Sequence, residues 1–598
     1  MSPRVRHAVV WALPFLIACV LYGGALLALS PSPNADEPHY ALEAISLVRD
    51  GDRDLANQYA DPELLRQVFG STALAPHGVR YPHAPDRLIS SHSVGLPILL
   101  APAAALSTST QWMRWEMVLL AALAALLLMR LLERLPWRSP VLRWTVWTAI
   151  VASAPLVMGA GLVLTEVPAM VLVLGGILLL TRRPRPSPAA LAAAATCAAL
   201  LPWLNSRFLP LTAALALAAL VLAWRDPRRG TAIAAVAAPL ALSGVLFAVG
   251  FLHWYGSIMP SAQHQAQVRT WSGAYRFGPG NLLSPAYGLL PQAPVALLAI
   301  VGIGVAVRRL GWPALLGAVT AFVYLAMIAA SGIGFNGTTF AGRLPEVLLP
   351  LAVVPLMAVA VSARVWRWAL AVLTAASLAL TVHAVVDKAM ATAATGEPGT
   401  LLHRYERLWP DYAVHEDAVM VTWSPAEARA GVGRTVRDDP LPAGSDAAVA
   451  APAGAAGVVE RVTSDVLPDR AYASAVTVRA DEPSPDLEIV ARTTAADGTL
   501  LGEWRLTGAQ APPADGYRLL VMPFPLTRDQ RVTVEITTNG AAGLRAGPVQ
   551  VVNAAGASQA AVGGFPAVGK TIAWTVVLLG AAVAAVLYDR RRGSTSRA

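Results

Sequence analysis

The sequence predicts a polytopic α-helical membrane protein that carries a soluble all-β domain, a β-sandwich, toward its C-terminal end. Three observations carry this reading. The 598 residues are 55% hydrophobic and only 14% charged, too little charge for a soluble protein of this length. Short arginine clusters recur between apolar runs and fall in every second loop. One long segment, 395–568, reverses both habits: it holds 14 Arg against 21 Asp and Glu, and its apolar and polar residues alternate. The net charge of +9 is therefore scattered rather than gathered on one face, which excludes a nucleic-acid binder. Cys19 and Cys197 both lie in apolar runs, so no disulfide framework is implied.

A membrane-crossing helix needs roughly 20 apolar residues. Runs near that length lie at 8–29, 112–133, 141–159, 162–180, 188–204, 208–224, 231–252, 289–307, 313–331, 344–362, 366–386 and 570–588, so about twelve spans are expected. With Arg4 and Arg6 inside, the clusters at Arg130/Arg134/Arg138/Arg143, Arg182/Arg183/Arg185, Arg225/Arg228/Arg229, Arg308/Arg309, Arg364/Arg367 and Arg590/Arg591/Arg592 share one side. Both termini are then cytoplasmic, in a plasma (inner) membrane. The first run exceeds a signal-peptide core, and Ala28–Ser30 is a poor cleavage site, so it reads as an anchor.

Residues 1–390 thus form a transmembrane domain with long outer loops at 31–111 and 253–288. Residues 569–598 form the last helix and a basic tail. Between them, alternating stretches at Ala473–Arg479, Asp486–Arg492, Leu500–Leu506, Tyr517–Phe524, Arg531–Thr537 and Val549–Val552 read as strands. Turn signals such as Asp497-Gly498 and Asn539-Gly540 separate them, a pattern expected of a jelly-roll type β-sandwich. Pro440–Gly457 reads as a loop or linker.

The densest polar cluster, Asn34-Ala35-Asp36-Glu37-Pro38-His39-Tyr40, directly follows the first run. Tyr40, Ala44, Leu47 and Val48 recur at helical spacing and predict an amphipathic helix along the membrane surface. Asp36 at its start serves either as an N-cap or, with Glu37, His39 and Tyr40, as part of a base or ion site. Glu166 is an acid at the edge of the apolar phase, a functional candidate that could equally cap its helix. Arg207 and Arg343 stand at outer ends of runs, where the positive-inside bias does not place arginine; snorkelling is the alternative to a ligand role. His39, His92 and His264 match no metal-ligand spacing.

These stretches resemble the GT-C superfamily of integral-membrane glycosyltransferases, in the branch of the protein O-mannosyltransferases and aminoarabinose transferases. The likeness rests on Asp36-Glu37-Pro38-His39-Tyr40, His92-Ser93-Val94-Gly95-Leu96-Pro97, Thr165-Glu166-Val167-Pro168 and Pro202–Pro210. Tyr255-Gly256-Ser257 with Pro260-Ser261-Ala262-Gln263, Ser284–Leu290 and Gly342-Arg343 complete it, in order over residues 1–390. It implies transfer of a mannose- or arabinose-type sugar from a polyprenyl-phosphate donor in the bilayer to an outer glycan or protein acceptor, with inversion. By the same likeness Asp36 is the base, with Glu37 in reserve or helping to bind a divalent cation or the acceptor. Arg207 and Arg343 would hold the donor phosphate, and His39, Tyr40, His92, Glu166, Tyr255, Gln263 and Tyr287 would line the substrate site.

No Walker or Rossmann pattern is present, and Gly278-Pro279-Gly280 follows no strand, so a nucleotide-sugar donor is not expected. The rival reading is a transporter or flippase of lipid-linked sugar, for which an internal repeat is the missing sign. The β domain is expected to assist, with Trp409, Tyr412, Trp423, Trp504 and Tyr517 as possible sugar-stacking residues and Trp504 better placed in the core. The Ala- and Arg-rich composition points to a GC-rich bacterial genome.

Overall fold

The structure, a computed structural model, describes residues 3–29, 36–69, 78–82, 84–137, 139–182, 185–259, 279–283, 288–330, 342–387, 408–409, 434–440, 449–464, 471–482, 484–507, 516–526, 530–547, 549–553 and 566–595. The chain divides into two compact units. One comprises Met1–Leu283, Tyr287–Glu397 and Trp574–Ala598; the other comprises Ser284–Ala286 and Pro398–Ala573.

The first unit is helical. It opens with α1 (Pro3–Leu29), α2 (Glu37–Arg49), α3 (Ala56–Ala60) and α4 (Pro62–Phe69), then the antiparallel pair β1 (Gly78–Tyr81) and β2 (Ala84–Ser90). There follow α5 (Gly95–Leu106), α6 (Thr110–Arg134), α7 (Pro140–Val151), α8 (Ala154–Gly159), α9 (Glu166–Leu180) and α10 (Pro188–Leu204). A 3-10 turn (Ser206–Phe208) leads to α11 (Leu209–Trp224) and α12 (Arg229–Tyr255). The series continues with α13 (Leu289–Gln292), α14 (Val295–Leu310), α15 (Trp312–Ala330), α16 (Arg343–Glu346), α17 (Leu349–Ala360) and α18 (Arg364–Asp387), and closes on α19 (Pro566–Thr595).

Seven helices among the described residues are long and apolar enough to cross a membrane: Ala12–Leu29, Thr110–Arg134, Ser206–Trp224, Arg229–Tyr255, Trp312–Ala329, Arg364–Val386 and Lys570–Arg591. The other five expected runs do not form long continuous helices. Run 188–204 is the shorter helix α10, and 162–180 becomes helical only at Glu166. Run 141–159 divides into α7 and α8, 289–307 into α13 and α14, and 344–362 into α16 and α17. Proline accounts for the divisions. Pro155 opens α8, Pro294 caps α14 and Pro350 opens α17, each where a missing N–H costs no helix-interior bond. Non-helical backbone of this kind survives at membrane depth only when protein covers it. Here Ser153 and residues 160–165 are buried.

Helix α2 departs from the expected surface helix. Residues Glu37 to Ser46 are all buried, Leu47 is half-buried and Val48 is exposed. Its polar residues find partners inside the unit instead of facing a membrane surface. At α5, a Cβ on Gly95 would lie 2.5 Å from the Trp203 carbonyl oxygen, so only glycine lets α5 close on the end of α10. Gly95→Ala is expected to cost about 1–3 kcal/mol by overpacking, measured as a lower unfolding midpoint in detergent. At the last helix, Asp589 is buried and pairs with Arg308 and with Arg309, whose Nε lies 3.1 Å away. Cys19 and Cys197 are free thiols.

The second unit holds two antiparallel sheets. One has the order β5 (Gly457–Thr463), β10 (Val532–Thr538), β7 (Glu488–Ala495), β8 (Leu500–Thr507). The other runs β3 (Arg434–Pro440), β9 (Gly516–Pro525), β6 (Ala471–Ala480), β11 (Leu544–Ala546), β4 (Val449–Ala451), with β12 (Gln550–Asn553) also on β6. Buried side chains of both sheets, among them Val476, Val478 and Leu544 from one and Ile489, Val534 and Ile536 from the other, form one apolar cluster. Strand β10 alternates strictly between buried and half-buried residues, the signature of a strand with one covered face. The Asp497-Gly498 turn joins β7 to β8, with Gly498 at φ +84°. The stretch expected as a linker, Pro440–Gly457, contains strand β4 and ends in β5. Its Val449–Ala451 is too short to show alternation, and pairing with β11 decides its conformation.

Candidate functional site

Four residues that the sequence singles out separately meet in one chain of contacts. Arg343, the first residue of α16, donates from Nη2 to Asp36 Oδ2 at 2.5 Å and from Nε to Glu166 Oε1 at 3.0 Å. Arg207, in the 3-10 turn, donates from Nη2 to the same Glu166 oxygen at 2.7 Å and to Thr165 Oγ1 at 2.9 Å. Local geometry frees these acids for the purpose. Asp36 sits at the N-cap position of α2 yet makes no side-chain capping bond, and Thr165 likewise leaves α9 uncapped. Glu166 starts α9 and faces the two guanidinium groups. Capping is therefore not what Asp36 does, and neither arginine snorkels to a boundary.

Exposure separates the roles. The Glu166 and Arg343 side chains are 1% and 5% exposed and Arg207 is 15%, whereas Asp36 keeps 25%. Burial alone would disfavour the charge on Arg343. Glu166 and Asp36 outweigh it and hold the Arg343 pKa above the ordinary arginine value. The pairing uses two of its five N–H groups.

Glu37 faces elsewhere. It is fully buried, and Arg114 of α6 grips it in a two-pronged contact, Nε to Oε1 at 3.1 Å and Nη2 to Oε2 at 2.8 Å. The backbone N–H of Val163, in the non-helical stretch before α9, donates to Oε1 at 2.9 Å. Glu37 thus ties α2, α6 and that stretch together. Asp36 and Glu37 do not face one cation, and among the described residues no group of three or more His, Cys, Asp or Glu could hold a metal ion. The pair does not fit the chelating role that the resemblance left open.

Of the aromatic candidates, Tyr40 and His92 lie beside Asp36. Tyr40 is buried with its ring 4.5 Å from that of His92. Burial, then the Asp36 charge, pushes its phenol above the ordinary tyrosine value. His92 Nε2 lies 3.9 Å from Asp36 Oδ1, beyond hydrogen-bond range. His39 bonds Tyr59 through Nδ1 at 2.6 Å. Tyr255, at the end of α12, donates to the Ser90 carbonyl at 2.9 Å. A second buried pair supports this side: Arg53 Nε bonds Glu43 Oε1 at 2.6 Å, its Nη2 bonds the His92 carbonyl at 3.2 Å, and its guanidinium lies over Trp254. Burial raises the Glu43 pKa even though Arg53 opposes it.

Gln263, Tyr287 and His264 lie outside the described residues, as do Tyr412, Trp423 and the side chains of Trp504 and Tyr517. Trp409 is buried, so it offers no ring face for a sugar. Sequence reasoning missed Arg114 and Glu346, although the signals that found Arg207 and Glu166 apply to both. Arg114 is an arginine near the end of an apolar run, and Glu346 is an acid at the edge of one. A scan against protein-family models finds no match to the chain, and a search of curated proteins finds none either.

Proposed function

We propose that the chain is a membrane glycosyltransferase that moves a mannose- or arabinose-type sugar from a polyprenyl-phosphate donor to an extracytoplasmic glycan or protein acceptor, in cell-envelope glycan or glycoprotein synthesis. The observation that carries this reading is the state of Asp36: a carboxylate released from capping, oriented by Arg343, and the most exposed member of its ion network. A general base must be held and yet reachable. Asp36 combines both, while Glu37 is sealed by Arg114.

In this reading the acceptor O–H gives its proton to Asp36 as its oxygen bonds the anomeric carbon. The bond from that carbon to the phosphate oxygen breaks with inversion, and the lipid phosphate leaves with one more negative charge. Arg343 links the two events. Once Asp36 is protonated, the guanidinium that balanced it is available to the departing phosphate, and Arg207 adds a second positive charge nearby. The remaining features of the proposal are twelve crossings, the shorter apolar helices completing the count, both termini cytoplasmic and the two sheets of the second unit as an outward β-sandwich.

Asp36→Asn tests it, since the amide keeps the shape and removes the base. Transfer of radiolabelled mannose and arabinose from polyprenyl-phosphate donors into cell-wall acceptor extract is expected to fall by about 10²- to 10⁴-fold at equal protein level. Unimpaired transfer by the variant overturns the assignment of Asp36. Passage of intact lipid-linked sugar across the bilayer, equal in both proteins, replaces the enzyme with a flippase.

A further inference from the structure

Glu346 ends the short helix α16, three residues after Arg343 and before the apolar helix α17. It is 1% exposed, and among the described residues neither carboxyl oxygen has a hydrogen-bond partner. The Arg207 Nε is also buried without a partner among the described residues. An acid and an N–H donor left unsatisfied beside one ion network are costly unless something bonds them.

The surrounding charges fix the state of this acid. Arg207 and Arg343 are matched by Glu166 and Asp36, so among the described residues no cation remains for Glu346. The groups within electrostatic reach are Arg343 on its own helix, Glu166 from α9, Arg207 from the 3-10 turn, Tyr22 from α1 and Tyr324 from α15. Helices α8 and α13, which also pack here, bring no charged residue. A carboxyl sealed from water, without a hydrogen-bond partner or a cation of its own among the described residues, is held neutral.

We propose that Glu346 is an anion-binding residue of this site, a neutral carboxylic acid whose O–H donates to a prenyl-phosphate oxygen held by Arg207 and Arg343. This rests on the glycosyltransferase reading for its choice of ligand. A protonated acid suits the task because it offers a donor without adding a negative charge beside the phosphate. Glutamine keeps a donor at every pH; alanine offers none.

The test is binding of farnesyl phosphate to the full-length protein in nanodiscs between pH 6 and pH 9, for wild type, Glu346→Gln and Glu346→Ala. Inorganic phosphate in a parallel arm reports the anion without its lipid. The probe's own ionisation affects all three proteins, so ratios between them isolate Glu346. At the acidic end wild type and Glu346→Gln, each offering a donor, are expected to bind alike. Glu346→Ala is expected to bind about tenfold more weakly than wild type at the acidic end. Unimpaired binding by Glu346→Ala overturns the proposal, as does absence of farnesyl phosphate binding to wild type. Binding of inorganic phosphate with the same ratios assigns the residue to the anion alone. If farnesyl phosphate binds with the expected ratios while sugar transfer is absent, the Glu346 inference stands and the transferase reading fails.

Discussion

On the proposed glycosyltransferase reading, Arg343→Ala is expected to bring sugar transfer down by about 10²- to 10³-fold. The guanidinium orients Asp36 from one nitrogen and holds Glu166 from another, so its removal leaves Asp36 without its anchor and a buried acid with one partner fewer. Breaking a buried pair from one side costs about 3–5 kcal/mol, so folded protein should also decrease. The two effects separate when transfer is normalised to folded protein from fluorescence-detected size exclusion. Arg343→Lys sharpens the comparison: it keeps the charge but loses the fork that bridges two acids. A lysine variant with wild-type turnover would show that charge alone suffices and would remove the two-pronged bridge from the mechanism.

Glu37→Gln should act on the fold first. Glu37 is fully buried, and its two oxygens take both prongs of Arg114 and the Val163 N–H. The amide cannot balance the guanidinium, which stays charged and 3% exposed. A loss of about 3–5 kcal/mol follows, read as a sharply lower unfolding midpoint in detergent. Replacing both members, Glu37→Leu with Arg114→Met, should recover most of it, because an apolar pair of similar volume carries no stranded charge. Sugar transfer per folded molecule should recover with the double replacement. If it stays lost while stability returns, Glu37 takes part in the chemistry after all.

The site was legible in the sequence where charge stands out against apolar surroundings. Asp36, Glu166, Arg207 and Arg343 were each conspicuous as a charged residue at the end of a hydrophobic run, and contacts unite them. Arg114 and Glu346, like Glu166, each fall just inside a run of about 20 residues, where average hydropathy absorbs one charge; of the three, Glu166 alone also sits in a stretch that carries the resemblance. The same averaging hid the breaks between α7 and α8, α13 and α14, and α16 and α17. Their prolines are apolar and leave the run intact while dividing the helix. In the second unit, β6 to β10 follow the alternating stretches closely, since a strand with one covered face writes its period into the sequence. Strands β3, β4 and β11 do not, because pairing with neighbours distant in the chain defines them.

The clasp on Asp589 makes the chain resistant to being cut. From Trp574 onward, helix α19 belongs to the helical unit, where Asp589 meets Arg308 and Arg309, although nearly all of the β unit separates it from α18 in the chain. A single backbone nick between α18 and α19 therefore severs the polypeptide without freeing its end. The fragment beginning beyond the nick stays docked by the ion pairs at α14. The molecule behaves there as a closed circuit, and two separately made fragments divided in that region have a built-in means of finding one another.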